Sequence, residues 1–255
     1  MKIRQQGSTL IVVLILLLVV TVIGTLAIRN SLTTLNIATN SQAQQLMLQN
    51  SDSAIFHVED PDLVEWYNMA ENLFGKATSD VNKGKELVFC YRGAESSFYA
   101  ATRTSLMQWV SGTAPMANEI GLNGYCKLSN DTSWFTSGRK AVMTQVAVKA
   151  NINGNQLVGI DRAFDYMQKA TDVEAVKAKK AEKILVTATS IVPSMSSASD
   201  DDINACFNSH MNHVVIPSSV TTPDAGKDKS VAQCLQDLGV PVNTQVVEYN
   251  LTQDF

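Results

Sequence analysis

From Leu10 to Ile28 the chain runs for 19 residues without a charge, and 15 of them are Leu, Ile or Val. At about 1.5 Å per residue, a helix of that length covers roughly 29 Å, against a bilayer hydrocarbon core of about 30 Å. Fifteen such side chains, at about −0.3 to −0.6 kcal/mol each, favour insertion by roughly 5 to 9 kcal/mol. Thr21, Gly24 and Thr25 are too weakly polar to reverse that sum. The mean hydropathy of +0.00 hides this concentration. Outside the run, about 42% of residues are hydrophobic, as expected of a soluble domain with a real core. A disordered chain, a collagen-like repeat, a polytopic transporter and a purely cytosolic enzyme are all excluded. The expectation is one membrane anchor carrying one soluble body of roughly 200 residues.

Charge sets the orientation. Lys2 and Arg4 precede the run and Arg29 follows it. The positive-inside rule therefore places the short amino-terminal tail in the cytoplasm and the body outside, a single-pass topology in the inner membrane. A cleaved secretory signal fits poorly, because the apolar stretch exceeds the usual 7–15 residues and no A-x-A site follows it.

The junction in front of the anchor is more specific. Lys2-Ile3-Arg4-Gln5-Gln6-Gly7 is followed by Ser8-Thr9-Leu10-Ile11-Val12-Val13-Leu14. A short basic leader ending in Gly, then a small polar residue and a long apolar helix, resembles the class III signal of type IV pilins and pseudopilins. A Gly at such a site lets a peptidase approach the backbone closely. The resemblance implies cleavage between Gly7 and Ser8 by a prepilin peptidase and methylation of the new amino terminus. Ser8 stands where the family usually has Phe. The implied parts are a leader (residues 1–7), a transmembrane anchor (8–29) and a periplasmic or extracellular head (30–255).

At the fifth position after that cut, most pilins carry a Glu that pairs with the terminal amine of a neighbouring subunit. A buried carboxylate needs such a partner, because one left unpaired in lipid is costly. Here the position is Val12. A subunit lacking the pairing group suits a place with no subunit beyond it, the tip of a filament. PilX-type minor pilins and K-type pseudopilins share this loss, and the wording of the helix over about the first 55 residues is most similar to PilX. That resemblance implies a structural protein, not an enzyme, that helps assemble a type IV pilus, primes the filament and lies at its tip. It implies other minor pilins, the major pilin, a tip adhesin, inner-membrane lipid and the prepilin peptidase as partners, with no cofactor. The alternatives are a K-type pseudopilin of a type II secretion system and a bitopic periplasmic binding domain.

The helix is expected to outrun the membrane. Ile28, Leu32, Leu35 and Leu46, with Ala38 and Ala43 beside them, continue an apolar stripe, and no Gly or Pro interrupts between Thr25 and Glu59. A helix from Ser8 to about Val58 would be roughly 75 Å long, its outer half needing a sheet to cover it. Asp60-Pro61 reads as the start of a second helix, with Leu63, Tyr67, Ala70 and Leu73 or Phe74 on one face and Gly75 as its stop. After Gly84 the period changes. Residues 86–91 and 97–102 are strand candidates. From Val142 to Ile152 apolar and polar positions alternate, and Asn153-Gly154 before Leu157 reads as a hairpin turn. Residues 184–192 and 246–251 complete the strands, with 172–183 a solvated charged stretch and 193–199 a Ser-rich loop. The fold class is α+β: a long amino-terminal helix packed across an antiparallel sheet, matching the pilin roll that the resemblance implies.

Four cysteines, Cys90, Cys126, Cys206 and Cys234, are spaced too widely for a zinc ribbon and, outside the inner membrane, read as disulfides. Of three possible connectivities the local one, Cys90–Cys126 with Cys206–Cys234, needs the least chain closure. In the family, the second pair would bound the variable carboxy-terminal region. His210-x-x-His213 suggests a metal pair on a helix, but no third ligand completes it. Asp200, Asp201 and Asp202 suggest calcium, yet three consecutive carboxylates do not converge, and Asp202 reads more simply as the cap of a helix starting at Ile203. His57 falls in the helical stripe as a packed residue. No Walker loop, dinucleotide fingerprint or nucleophile motif is present. The side-chain charge is −4, and it falls to −6 once Lys2 and Arg4 leave with the leader, which argues against nucleic acid as a ligand.

Overall fold

The structure, a computed structural model, describes residues 8–60, 62–63, 67–69, 71–93, 95, 97–113, 115–117, 124–135, 139–150 and 180–253. The expected Asn153-Gly154 turn, Leu157 and Ala70 lie outside these residues. One helix, α1, runs from Ser8–Val58, the span expected from its uninterrupted composition. The chain divides into two compact units, residues 1–45 and 46–255.

In the first unit α1 is apolar on every side from Leu10 to Ile28, and each large hydrophobic side chain in that stretch is 44% exposed or more. Two threonine hydroxyls in this stretch bond back to the helix's own carbonyls, Thr21 Oγ1 to Leu18 (2.8 Å) and Thr25 Oγ1 to Val22 (2.9 Å). Their polarity is thus met without water, as a bilayer demands.

In the second unit, Met47, Ser51, Ala54, Ile55 and Val58 form the buried face of α1, spaced as helical neighbours one above another. Leu46, expected on that face, is 43% exposed. A stripe extrapolated from Ile28 drifts around a helix of 3.6 residues per turn, and the neighbouring Met47 takes the inward place. Asp60 accepts from the Asp62 N–H at 3.0 Å, as a helix-start Asp does. Gly75 is not a stop. It lies inside α2, Leu73–Thr78, whose Leu73, Phe74 and Ala77 are buried, so packing overrides its conformational freedom.

Six strands form one antiparallel sheet: β1 Glu86–Tyr91, β2 Ser105–Trp109, β3 Pro115–Ala117, β4 Met143–Ala150, β5 Lys180–Ile191 and β6 Val242–Gln253, in the order β3-β2-β1-β4-β5-β6. Residues 97–102 are not a strand. Phe98 and Tyr99 face the aromatic cluster from a turn that ends in a 3-10 helix, Ala101–Arg103, and pairing resumes only at Ser105. The charged stretch expected to end at Lys183 contributes strand from Lys180 onward.

The sheet is covered on both faces. On one, Leu87, Phe89, Val146, Val148, Ile184 and Val186 pack with Ala54, Ile55 and Val58 of α1 and Phe74 of α2. His57 sits there among aromatics, stacked on Phe98 with centroids 5.5 Å apart. On the other, Cys90, Met143 and Ile191 pack with Ile203, Phe207, Val231 and Leu235. These come from α3, Asp200–Ser209, and α4, Val231–Asp237. All eight residues of β4 are therefore buried, although their alternation resembles that of a strand with one wet face.

Candidate functional site

Two parts of the chain carry features that packing alone does not require. The first is α1. Ser8 is its first residue, and Gly7 lies outside the described residues. Val12, one turn in, is 52% exposed on a helix side that has no charged group between Leu10 and Ile28. The helix is long and apolar enough to cross a membrane. Val12 offers neither a charge nor a hydrogen bond, so its side chain gives an amine nothing to pair with.

The second is the carboxy-terminal lobe. Cys90 is bonded to Cys126 and Cys206 to Cys234, across sequence separations of 36 and 28 residues. The second bond joins α3 to α4, and both helices begin on serine caps. Ser199 Oγ accepts from the Asp202 N–H (3.2 Å) and donates to the Asp202 carboxylate (2.6 Å). Ser230 and Gln233 form a reciprocal capping box. Asp202 is thus the third residue of α3, one turn after the cap, rather than the cap itself. The local sequence explains the difference, since Ser199 and Asp202 have capping-box spacing and charge in the first turn complements the helix dipole.

Between the two helices a loop crosses the sheet over a buried charge pair. Glu86 of β1 and Lys149 of β4 are cross-strand partners, 1% and 4% exposed. The Glu86 carboxylate accepts from the N–H of His213 (2.7 Å), the N–H of Asn212 (2.8 Å) and Asn212 Nδ2 (3.4 Å). Lys149 Nζ donates to the His213 carbonyl (2.9 Å). Thr189 Oγ1 of β5 donates to Asn212 Oδ1 (3.2 Å), so residues 212–213 are stitched across three strands. Burial pushes the Glu86 carboxyl up, while Lys149 and the two backbone N–H groups pull it back. Burial likewise pushes the Lys149 ammonium down, and Glu86 opposes that shift.

The histidines of His210-x-x-His213 do not share a helix face. His210 follows the last residue of α3 as its cap and His213 lies in the loop. Burial first, then Lys227 for His210 and Lys149 for His213, lower both imidazoles. Among the described residues no three His, Cys, Asp or Glu side chains converge as a metal site. The three aspartates spread around the first turn of α3. Glu86 and Lys149 were missed in the sequence, yet a signal existed. Each is a lone charge at the polar positions of a strand whose other members, Val88 and Ala147, are apolar, and opposite charges on neighbouring strands are natural cross-strand pairs.

A family model described as PilX N-terminal matches residues 6–56, a fifth of the chain that covers Gly7, Ser8, Val12 and nearly all of α1. No curated protein and no solved structure matches the chain. The helix that the match covers is uncharged through its membrane-length stretch, and its outer end packs on an antiparallel sheet. Over this amino-terminal stretch the chain is similar to the type IV pilins of the PilX family.

Proposed function

We propose that this chain is a minor pilin that primes a type IV pilus and ends at its tip. Its mechanism is assembly rather than catalysis. A prepilin peptidase cuts after Gly7 on the cytoplasmic side and the amine of Ser8 is methylated. The mature chain waits in the inner membrane through residues 8–29, with the head outside. It then joins other minor pilins, the major pilin and a tip adhesin through α1.

Val12 carries the reading. Within a bilayer a helix finds no hydrophobic advantage in meeting another helix, so polar pairs there are strong organisers. A subunit that has a free terminal amine but no carboxylate at the fifth position gives that pair in one direction only, which suits the end of a filament.

The test places a tag at each end of the full chain, in cells with and without the peptidase. The amino-terminal tag should be lost only where the peptidase is present, and Gly7→Ile should block that loss. A deletion strain should lose most surface pili, and wild-type Val12 should restore them. Cutting that does not depend on the peptidase, or full piliation in the deletion strain, would sink the proposal.

A further inference from the structure

The geometry points to a docking site for a single carboxylate of a partner polypeptide, an Asp or Glu side chain, held by Arg92 and Arg103 beside the carboxy-terminal end of β1. Both guanidinium groups lean on one acid. Arg92 Nη1 donates to Glu95 Oε1 at 3.0 Å, and Arg103 Nη1 pairs with Glu95 Oε2. Among the described residues two cations therefore share one anion, which leaves one positive charge in excess. The site is partly dehydrated: the Arg92 side chain is 12% exposed, Arg103 30% and Glu95 29%. Burial weakens the hold of both guanidinium groups on their protons, and for Arg103 the neighbouring Arg92 adds to it.

One donor in the cluster has no acceptor among the described residues. Arg92 Nε–H is buried, and none of those residues accepts from it. Buried donors are nearly always paired, so an orphan on a guanidinium fork is a group awaiting an acceptor. The Arg92 side chain also lines a cavity of about 10 Å3, together with Arg103, Glu95, Ser97, Phe89 and Phe98. That is room for about one oxygen atom. A carboxylate can place one oxygen there from the rim while its short apolar stem lies against the phenylalanine rings. The chain as a whole is acidic at −4, so an excess cation of this kind stands out from its surroundings and draws acidic partners.

The site does not depend on the proposed place in a pilus, since any acidic partner meets the same chemistry. The experiment uses the full chain in detergent micelles with labelled arginine, following the Arg92 Nε–H resonance. N-acetyl-hexaglutamate amide, the matching hexaglutamine peptide and inorganic phosphate are added in separate titrations. The expected result is a saturable shift with hexaglutamate alone, falling by more than about half between low and high salt because the contact is ionic. Arg103→Gln should remove most of that shift, while Arg103→Lys should keep part of it. No shift with hexaglutamate, or an equal shift with hexaglutamine, overturns the proposal. A response to phosphate but not to hexaglutamate overturns it in favour of a free-anion site. A shift that follows protein concentration without peptide overturns it in favour of a second copy. The wild-type titrations decide the matter even if a variant fails to fold.

Discussion

Replacing Glu86 with Gln removes one charge from a pair that the sheet keeps almost wholly out of water. Glu86 and Lys149 are 1% and 4% exposed, and the carboxylate takes both the Asn212 and His213 N–H groups. A Gln in its place has one acceptor oxygen, and it turns an NH2 donor toward a backbone donor. Lys149 is left with the His213 carbonyl and no countercharge. Breaking a buried pair from one side typically costs about 3–5 kcal/mol, mostly because the remaining charge is stranded. Lys149→Met strands the carboxylate instead, at a similar cost. If the two losses were independent they would add to about 6–10 kcal/mol, comparable with the whole stability of an average domain. They are not independent, because each single variant's penalty is the other group's isolation. The double variant should therefore be more stable than the sum by about 2 kcal/mol or more. Urea unfolding of the full chain in mild detergent measures this through Trp109 and Trp134, both outside α1. Backbone exchange at residues 211–214 should rise in either single variant before that of β4 does. Losses that add within about 0.5 kcal/mol would refute the shared network.

Three further outcomes follow from the head. An added methyl at Gly124 would lie 2.2 Å from the Ser105 nitrogen and 2.5 Å from the Val88 carbonyl oxygen, both backbone atoms of paired strands. Gly124→Ala should therefore cost about 2–3 kcal/mol or more in thermal unfolding, and a loss below about 0.5 kcal/mol would count against this close approach. Cys206→Ser with Cys234→Ser opens the 28-residue span between them. Loop entropy assigns that span about 3.6 kcal/mol, and exchange should quicken in α3 and α4 rather than in β1 and β4. His210 and His213 have imidazole pKa values lowered in the folded head, so their contribution is present above the unfolded value of about 6.5 and is lost as pH falls through the lower folded values. Urea midpoints should decline on acidification below neutrality, and replacing both residues with Gln should flatten that slope.

Strong local patterns made much of the fold legible. The absence of Gly and Pro after Thr25 announced α1 to Val58, and the β-branched alternation around Val146 announced β4. What stayed hidden was decided by tertiary neighbours. Gly75 looked like a terminus because Gly usually ends helices, yet the cluster around Phe74 holds it inside α2. Phe98 and Tyr99 looked like strand residues, but their rings are used at a turn, Phe98 against His57 and Phe89. The alternation of β4 does not show that its polar positions are covered. Gln145 is nevertheless fully buried, accepting from the Cys126 N–H (3.1 Å) and donating to the Phe207 carbonyl (3.2 Å). Residues brought together from 19 to 62 positions away, as around Gln145, leave no local period. For α1 the relation is reversed, since the features singled out in its sequence concern groups that no residue of the same chain is called on to satisfy.

That contrast accounts for the different chemistry of the two units. The head buries charge and meets it internally, as the Glu86 network does with groups from β1, β4 and the loop. Between Leu10 and Ile28, α1 contains no polar group stronger than a threonine hydroxyl, and Thr21 and Thr25 already spend theirs on the helix's own carbonyls. In lipid such a surface gains little from meeting one helix rather than another, because acyl chains are as apolar as leucine. Any selectivity of its association must then come from close packing at small residues such as Gly24, around which an added methyl would meet nothing within 4 Å, or from polar groups that a partner brings. Introducing Glu at Val12 supplies the missing polar group. Under the proposed cut after Gly7, it should strengthen pairing with the amine of another subunit, measured by cross-linking in the membrane. Unchanged cross-linking in a Val12→Glu chain that is still inserted would show that the fifth position does not govern assembly.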